Sequence, residues 1–175
     1  MADVMPILTS LIGVIGALSG AWVANRYNEK RFRTQIEIDK QKENKKLLIS
    51  KAEELHLCIT SWDKAIFSYH LHQASLVRGK IHESQLNEYL SSLNTKETHD
   101  RLENLLSLYF RDLRPHMVSV RKQLRRNNAA FDRFSAGKLG STEALSELEQ
   151  ASKEIGKLLD LLKLDLQGKV DQYLS

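Results

Sequence analysis

An all-α fold is what this sequence predicts: a single N-terminal transmembrane helix continuing into a stalk helix, then a cytoplasmic antiparallel four-helix bundle. Three observations predict it. Only two prolines and eight glycines interrupt 175 residues, and the long breaker-free stretches are rich in Leu, Lys, Glu and Ala. Apolar residues recur at alternating steps of four and three, the spacing of one buried helix face. No charged side chain stands between Val4 and Arg26. The expected division is an anchor over 1–25, a charged helical stalk over 26–46 and a bundle over 47–175.

The anchor is justified by length. Val4 to Ala24 would make a helix about 31 Å long at 1.5 Å per residue, close to the roughly 30 Å of bilayer hydrocarbon. Asp3 can cap it and Pro6 falls in its first turn, where a missing N–H costs nothing. No Lys or Arg precedes the run, whereas Arg26, Lys30, Arg31 and Arg33 follow it. The positive-inside rule then places the N-terminus outside and the C-terminal body in the cytoplasm, at a plasma (bacterial inner) membrane. Trp22 and Tyr27 would join those four cations at the headgroups, making the lipid bilayer the first expected partner. Gly16 and Gly20 form a GxxxG extended by Ala24, and Gly13, Ala17 and Ala21 make a second small-residue row. Close backbone approach along Gly13, Gly16, Ala17, Gly20 and Ala24 would make the chain a homo-oligomer.

The stalk is helix-compatible but nearly coreless, for "DKQKENKK" (39–46) has no apolar residue. At most Phe32 and Ile36 would pair it with neighbours as a coiled coil. The first bundle helix carries the stripe Leu48, Ala52, Leu55, Ile59, Trp62, Ile66, Tyr69, Gln73, Leu76 and ends at Arg78-Gly79. A short piece, Leu86 to Leu93, precedes Asn94, which with Glu97 reads as the capped start of a helix through Leu102, Leu105, Leu106, Tyr109, Phe110 and Leu113. Pro115 opens the next helix, with Met117, Val120, Leu124, Phe131 and Phe134 inward. "SAGKLGST" (135–142) is a loop. The last helix turns Leu145, Leu148, Ser152, Ile155, Leu159, Leu162, Leu166 and Tyr173 inward, and Leu158, Leu161 and Leu164 widen that stripe. Short connections make successive helices antiparallel neighbours.

The net charge of +4 conceals strong local imbalance. Residues 26–51 carry nine Lys/Arg against four Asp/Glu, and residues 111–133 carry seven against two. The stretches 53–110 and 141–175 are acidic by three charges each. In "VRKQLRRNNAAFDRF" (120–134), Arg121, Lys122, Arg125 and Arg126 share one exposed face. That face could hold an acidic protein partner, RNA or an anionic, phosphorylated small ligand, or pair within the bundle with Glu143, Glu147, Glu149 and Glu154. Nucleic acid is not favoured, because the patch lacks interleaved aromatics.

Glycine-rich phosphate loops, zinc spacings and nucleophile elbows are absent, so no cofactor, no metal site and no catalytic residue is expected. His70 and His72 lie two apart on a helix, pointing to nearly opposite sides rather than forming a chelate, and read as surface or boundary residues. Cys58, the only cysteine, reads as a small buried hydrophobe. One pattern points to an enzyme: Arg111-Asp112-Leu113-Arg114-Pro115-His116 resembles the Rx4–6H motif of HEPN-family ribonucleases, themselves small helical bundles. The resemblance implies Arg111 on the scissile phosphate and His116 in proton transfer, usually at a dimer interface.

The leading expectation is non-enzymatic: a membrane-anchored, self-associating bundle that binds or senses a cytoplasmic partner and acts at the membrane. In broad design it looks like the small anchored effectors of bacteria and phages, with bilayer perturbation as a sharper version. A tethered HEPN-like ribonuclease and a passive membrane scaffold recruiting a protein are the alternatives.

Overall fold

A computed structural model describes residues 4–93 and 95–174, with the side chains among them except those of residues 4–12, 14 and 15. The described residues are all-helical and contain no strand. Five α-helices run α1 (Val4–Val77), α2 (Glu83–Ser92), α3 (Thr95–Leu108), α4 (Arg114–Ser135) and α5 (Ser141–Leu174), with a single 3-10 turn at Arg111–Leu113. The chain divides into two units, Met1–Lys46 and Leu47–Ser175.

The first unit is helix alone. Every described side chain from Gly16 to Lys46 is exposed. Its described side chains make local pairs, among them Arg33 with Glu29 at 2.6 Å, Gln35 with Asp39 at 3.0 Å, and the Arg26 guanidinium 4.7 Å from the centre of the Trp22 ring. Such pairs are worth a few tenths of a kcal/mol each.

Among the described residues no helix is long and apolar enough to cross a membrane. This corrects the expected anchor over 1–25, and with it the outside N-terminus, the cytoplasmic body and the headgroup collar of Trp22, Arg26, Tyr27, Lys30, Arg31 and Arg33. From Arg26 to Glu54 α1 carries a charged residue every few positions, so the described side chains present no uninterrupted apolar run of the ~20 residues a span requires. Residues 1–3, and the side chains of 4–12, 14 and 15, lie outside the described residues.

In the second unit, residues 47–77 of α1 pack with α3, α4 and α5. Lys51 lies over the Tyr109 ring and Trp62 meets His99, so α3 runs opposite to α1. Asp63 pairs with Lys163 at 2.7 Å and Arg78 with Glu149 at 3.0 Å, so α5 also runs opposite to α1. His116 pairs with Asp165 and Arg133 with Glu147, which sets α4 against α5. The order is up-down-up-down, as short connections impose. α3 is only 14 residues long, and α2 flanks α1 beyond it, with Leu86 buried and Tyr89 stacked on His72 at 3.8 Å. The Gln85 side chain accepts the His82 N–H at 2.9 Å and so fixes the start of α2. Asn94, the expected cap of α3, lies outside the described residues.

The helix ends follow local chemistry. Gly79 and Gly137 both take φ +69°. At the first, Gly79 N–H donates to Leu76 and Lys80 N–H to Ser75, each at 2.9 Å. At the second, Gly137 N–H donates to Phe134 at 2.9 Å and Lys138 N–H to Arg133 at 2.8 Å. Each is a Schellman closure, in which glycine takes the left-handed position other residues resist.

The core has two parts. The larger joins Leu55, Ile59, Trp62 and Ile66 to Leu102, Leu106, Phe110, Met117, Val120, Ile155, Leu159 and Leu162. The smaller holds Val77, Ala130, Ala144 and Leu148. Between them in α1 come His70 and Gln73, and between them in α4 comes Asn127, all buried.

Candidate functional site

Three features of the surface and one of the interior can carry function. The first is the helical surface of the first unit. Leu18, Trp22, Phe32 and Ile36 are exposed, with Trp22 at 60% and Phe32 at 67%. Residues 18 and 36 are five whole turns apart, so these four share one side. Gly13, Gly16, Ala17, Gly20 and Ala24 are exposed as well, centred on the other side. A Cβ added at Gly13, Gly16 or Gly20 would meet no atom within 4 Å, so no described neighbour requires those positions to be small.

The second is the outer face of α4, which has no acidic residue from Arg114 to Phe131. Lys122, Arg125 and Arg126 are exposed there, but Arg121 is half-buried and turned to Glu103 of α3. Arg126 meets only the Gln123 amide, at 3.4 Å. Among the described residues, Arg114, Lys122, Arg125 and Arg126 have no acidic partner. The expected neutralisation of the Arg121, Lys122, Arg125, Arg126 patch by the last helix is not made. Glu147 is taken by Arg133, Glu149 by Arg78 and Glu154 by Lys157. Arg126 lines a cleft beside Glu147 and Glu154 of α5 without pairing with either, and Lys122 and Arg125 are exposed.

The third is the Arg111–His116 pair. Arg111 lies in the 3-10 turn and its Nε donates back to the Ser107 carbonyl at 3.0 Å. His116 lies in the first turn of α4, beyond Pro115, with Nε2 2.8 Å from an Asp165 oxygen. The two side chains therefore hold separate partners and do not touch. Beside them Lys169 pairs with Asp112 and holds its carboxyl below the usual carboxylate range.

The interior feature is a polar layer. Asn127 Nδ2 donates to Gln73 Oε1 at 2.7 Å, and Gln73 Nε2 donates to the Tyr69 hydroxyl at 2.7 Å. Tyr69 in turn reaches Asn128 at 3.4 Å. His70, 5% exposed, has no hydrogen-bond partner at either ring nitrogen, and Asn127 Oδ1 has none either. Burial pulls the His70 pKa down to about 4. This corrects the surface or boundary reading of His70. His72 is half-buried, with its Nδ1 2.8 Å from the Ser68 carbonyl. The signal for His70 was in the sequence: position 70 follows Ile66 by four and precedes Gln73 by three.

Cys58 is buried, as expected, and burial pushes its thiol up, away from reactivity. Among the described residues no three His, Cys, Asp or Glu gather closely enough to hold a metal ion. The chain matches no family model, no curated protein and no solved structure.

Proposed function

We propose that this chain is a non-enzymatic, self-associating helical protein that binds an anionic partner. Residues 18–36 of α1 are the assembly element, and the outer face of α4 is the partner surface. The observation that carries the reading is the unaccompanied helix of the first unit. It exposes Leu18, Trp22, Phe32 and Ile36 on one side, and no other described residue of that unit covers them. Helices without tertiary packing are marginal in water, and burying each such side chain is worth about 1.5–3 kcal/mol. A second copy of the same row supplies that burial in coiled-coil fashion, with Asn25 and Glu29 as the polar positions that limit register. The acid-free face of α4 then offers Lys122, Arg125 and Arg126 to carboxylates or phosphates of a partner.

Light scattering on the full chain tests the reading. A defined oligomer is expected that becomes monomeric when Phe32→Glu and Ile36→Glu are combined. Gly16→Leu with Gly20→Leu, on the other side of the helix, should leave it assembled. A monomeric parent chain, or an oligomer indifferent to the Phe32 and Ile36 changes, overturns it.

A further inference from the structure

One groove runs along the outside of the second unit between α1 and α5, and it holds two apolar basins. The first, of about 520 Å³, has Ala52, Leu57, Leu164 and Val170 in its walls. The second, of about 250 Å³, has Phe67, Leu71, Ala74 and Leu148. Leu57, Phe67, Leu71 and Leu164 are each half or more exposed. Single apolar residues on a surface are ordinary, but four gathered on the basins of one groove mark a place where another body packs. Between Leu57 and Phe67 the Asp63–Lys163 pair, at 2.7 Å, bridges α1 and α5 and divides the basins. Leu57 and Leu71 are about 21 Å apart along α1, close to four whole turns. A helix laid in the groove reaches both basins with apolar side chains at that same spacing and passes the ion pair with polar ones midway. Helix-in-groove docking relies on such a row of anchors.

Charge gives the occupant its direction. Glu53 lines the first basin, and Asp171 stands one turn beyond Gln167 of its wall. Lys153 lines the second, and Lys64 precedes Phe67 by three on the same side of α1. All four are exposed, and none has an ion-pair partner among the described residues. Lys163, Arg78 and Glu149, the other charged linings, are already paired. The groove is therefore negative at its Leu57 end and positive at its Leu71 end. The positive N-terminal end of a docked helix belongs beside Glu53 and Asp171, and its negative C-terminal end beside Lys153.

We propose that this groove docks an amphipathic helix of a partner protein, running parallel to α1. That helix is basic in its N-terminal half and acidic in its C-terminal half, with apolar anchors about 14 residues apart. Leu57 and Leu164 hold the first anchor, Phe67 and Leu71 the second. Every residue involved belongs to the second unit, so the inference is independent of the assembly reading.

Fluorescence anisotropy on the full chain tests it with two labelled, Ala-rich peptides of identical composition, each with two leucine pairs about 14 residues apart. One has lysines in its N-terminal half and glutamates in its C-terminal half; the other has them exchanged. Saturable binding of the lysine-first peptide is expected, with the exchanged one at least about tenfold weaker. The macrodipole favours helicity in the exchanged peptide, so free-peptide helicity works against this preference. Glu53→Lys combined with Lys153→Glu, both on exposed residues, should reverse it. Leu164→Asp should abolish binding without lowering the melting temperature. Binding of neither peptide, equal affinity for the two, or a preference unmoved by the charge exchange would each overturn the proposal. So would light scattering in which Leu57→Asp with Leu164→Asp dissociates the chain's own oligomer, since a second copy would then cover the groove.

Discussion

Asn127 and Gln73 are both fully buried, and the Asn127 amide donates to Gln73 Oε1 across the bundle interior. Their joint worth is small, because folding exchanges water hydrogen bonds for internal ones; the cost of breaking the pair is not. Asn127→Ala would leave Gln73 Oε1 unpartnered and should lower unfolding stability in urea by about 1–3 kcal/mol, whereas Gln73→Leu combined with Asn127→Leu should be near neutral. His70 gives this interior its pH dependence. Its folded pKa of about 4 lies below the ordinary 6.5, so the unfolded chain takes up the proton first as the pH falls. Stability from the neutral ring is fully present above pH 6.5 and is lost as the pH drops toward 4. At about 1.4 kcal/mol per pKa unit the loss approaches roughly 3 kcal/mol. His70→Leu should flatten the urea-midpoint profile between pH 6.5 and 4, and an unchanged slope would show that other groups carry it.

At the scale of elements, most boundaries were legible and the phase of the long faces was not. Arg78-Gly79 and the 135–142 loop mark real ends because glycine alone accepts the left-handed turn comfortably. Gly79→Ala should therefore lower the melting temperature through a cost of about 1–2 kcal/mol, read by calorimetry. The stripe through α1 holds as far as Ile66 and again at Gln73, and is one residue out of phase at Tyr69 and Leu76. Strict steps of four and three choose Tyr69 and Leu76, but the buried residues are His70 and Val77. A 3.5-residue repeat drifts by about 20° per heptad against a straight 3.6-residue helix, so the buried face moves on by one residue after a few turns. A step of four after Ile66, in place of three, leads to His70, Gln73 and Val77. In α5 the same drift put Ala144 and Ala151 inside in place of Leu145 and Ser152, with Leu161 and Leu164 left exposed. The cationic row of α4 was legible as composition. Its lack of partners in α5 was not, because that depends on where the helix rotates when Met117, Val120 and Asn127 turn inward.

On the scale of the whole chain, an all-helical fold follows from sparse breakers and from apolar periodicity, and the structure has it. The expected membrane span rested on composition over residues 4–24, and no described helix meets the requirement. What remains informative is how unevenly the second unit is held together. Seventeen buried side chains form the larger cluster, and four form the smaller one beyond the polar layer. Openings of a native protein are drawn from its least-buried regions, so the end around Val77, Ala130 and Leu148 should fluctuate as a separate cooperative unit. In native-state hydrogen exchange, amides of 74–78 and 130–148 should exchange by a sub-global route at low denaturant, while those of 55–66 and 155–162 wait for complete unfolding. A single exchange isotherm shared by both sets would make the bundle one cooperative body. Two isotherms would mean that this protein carries a hinge of its own making, set by three polar residues in an otherwise greasy seam.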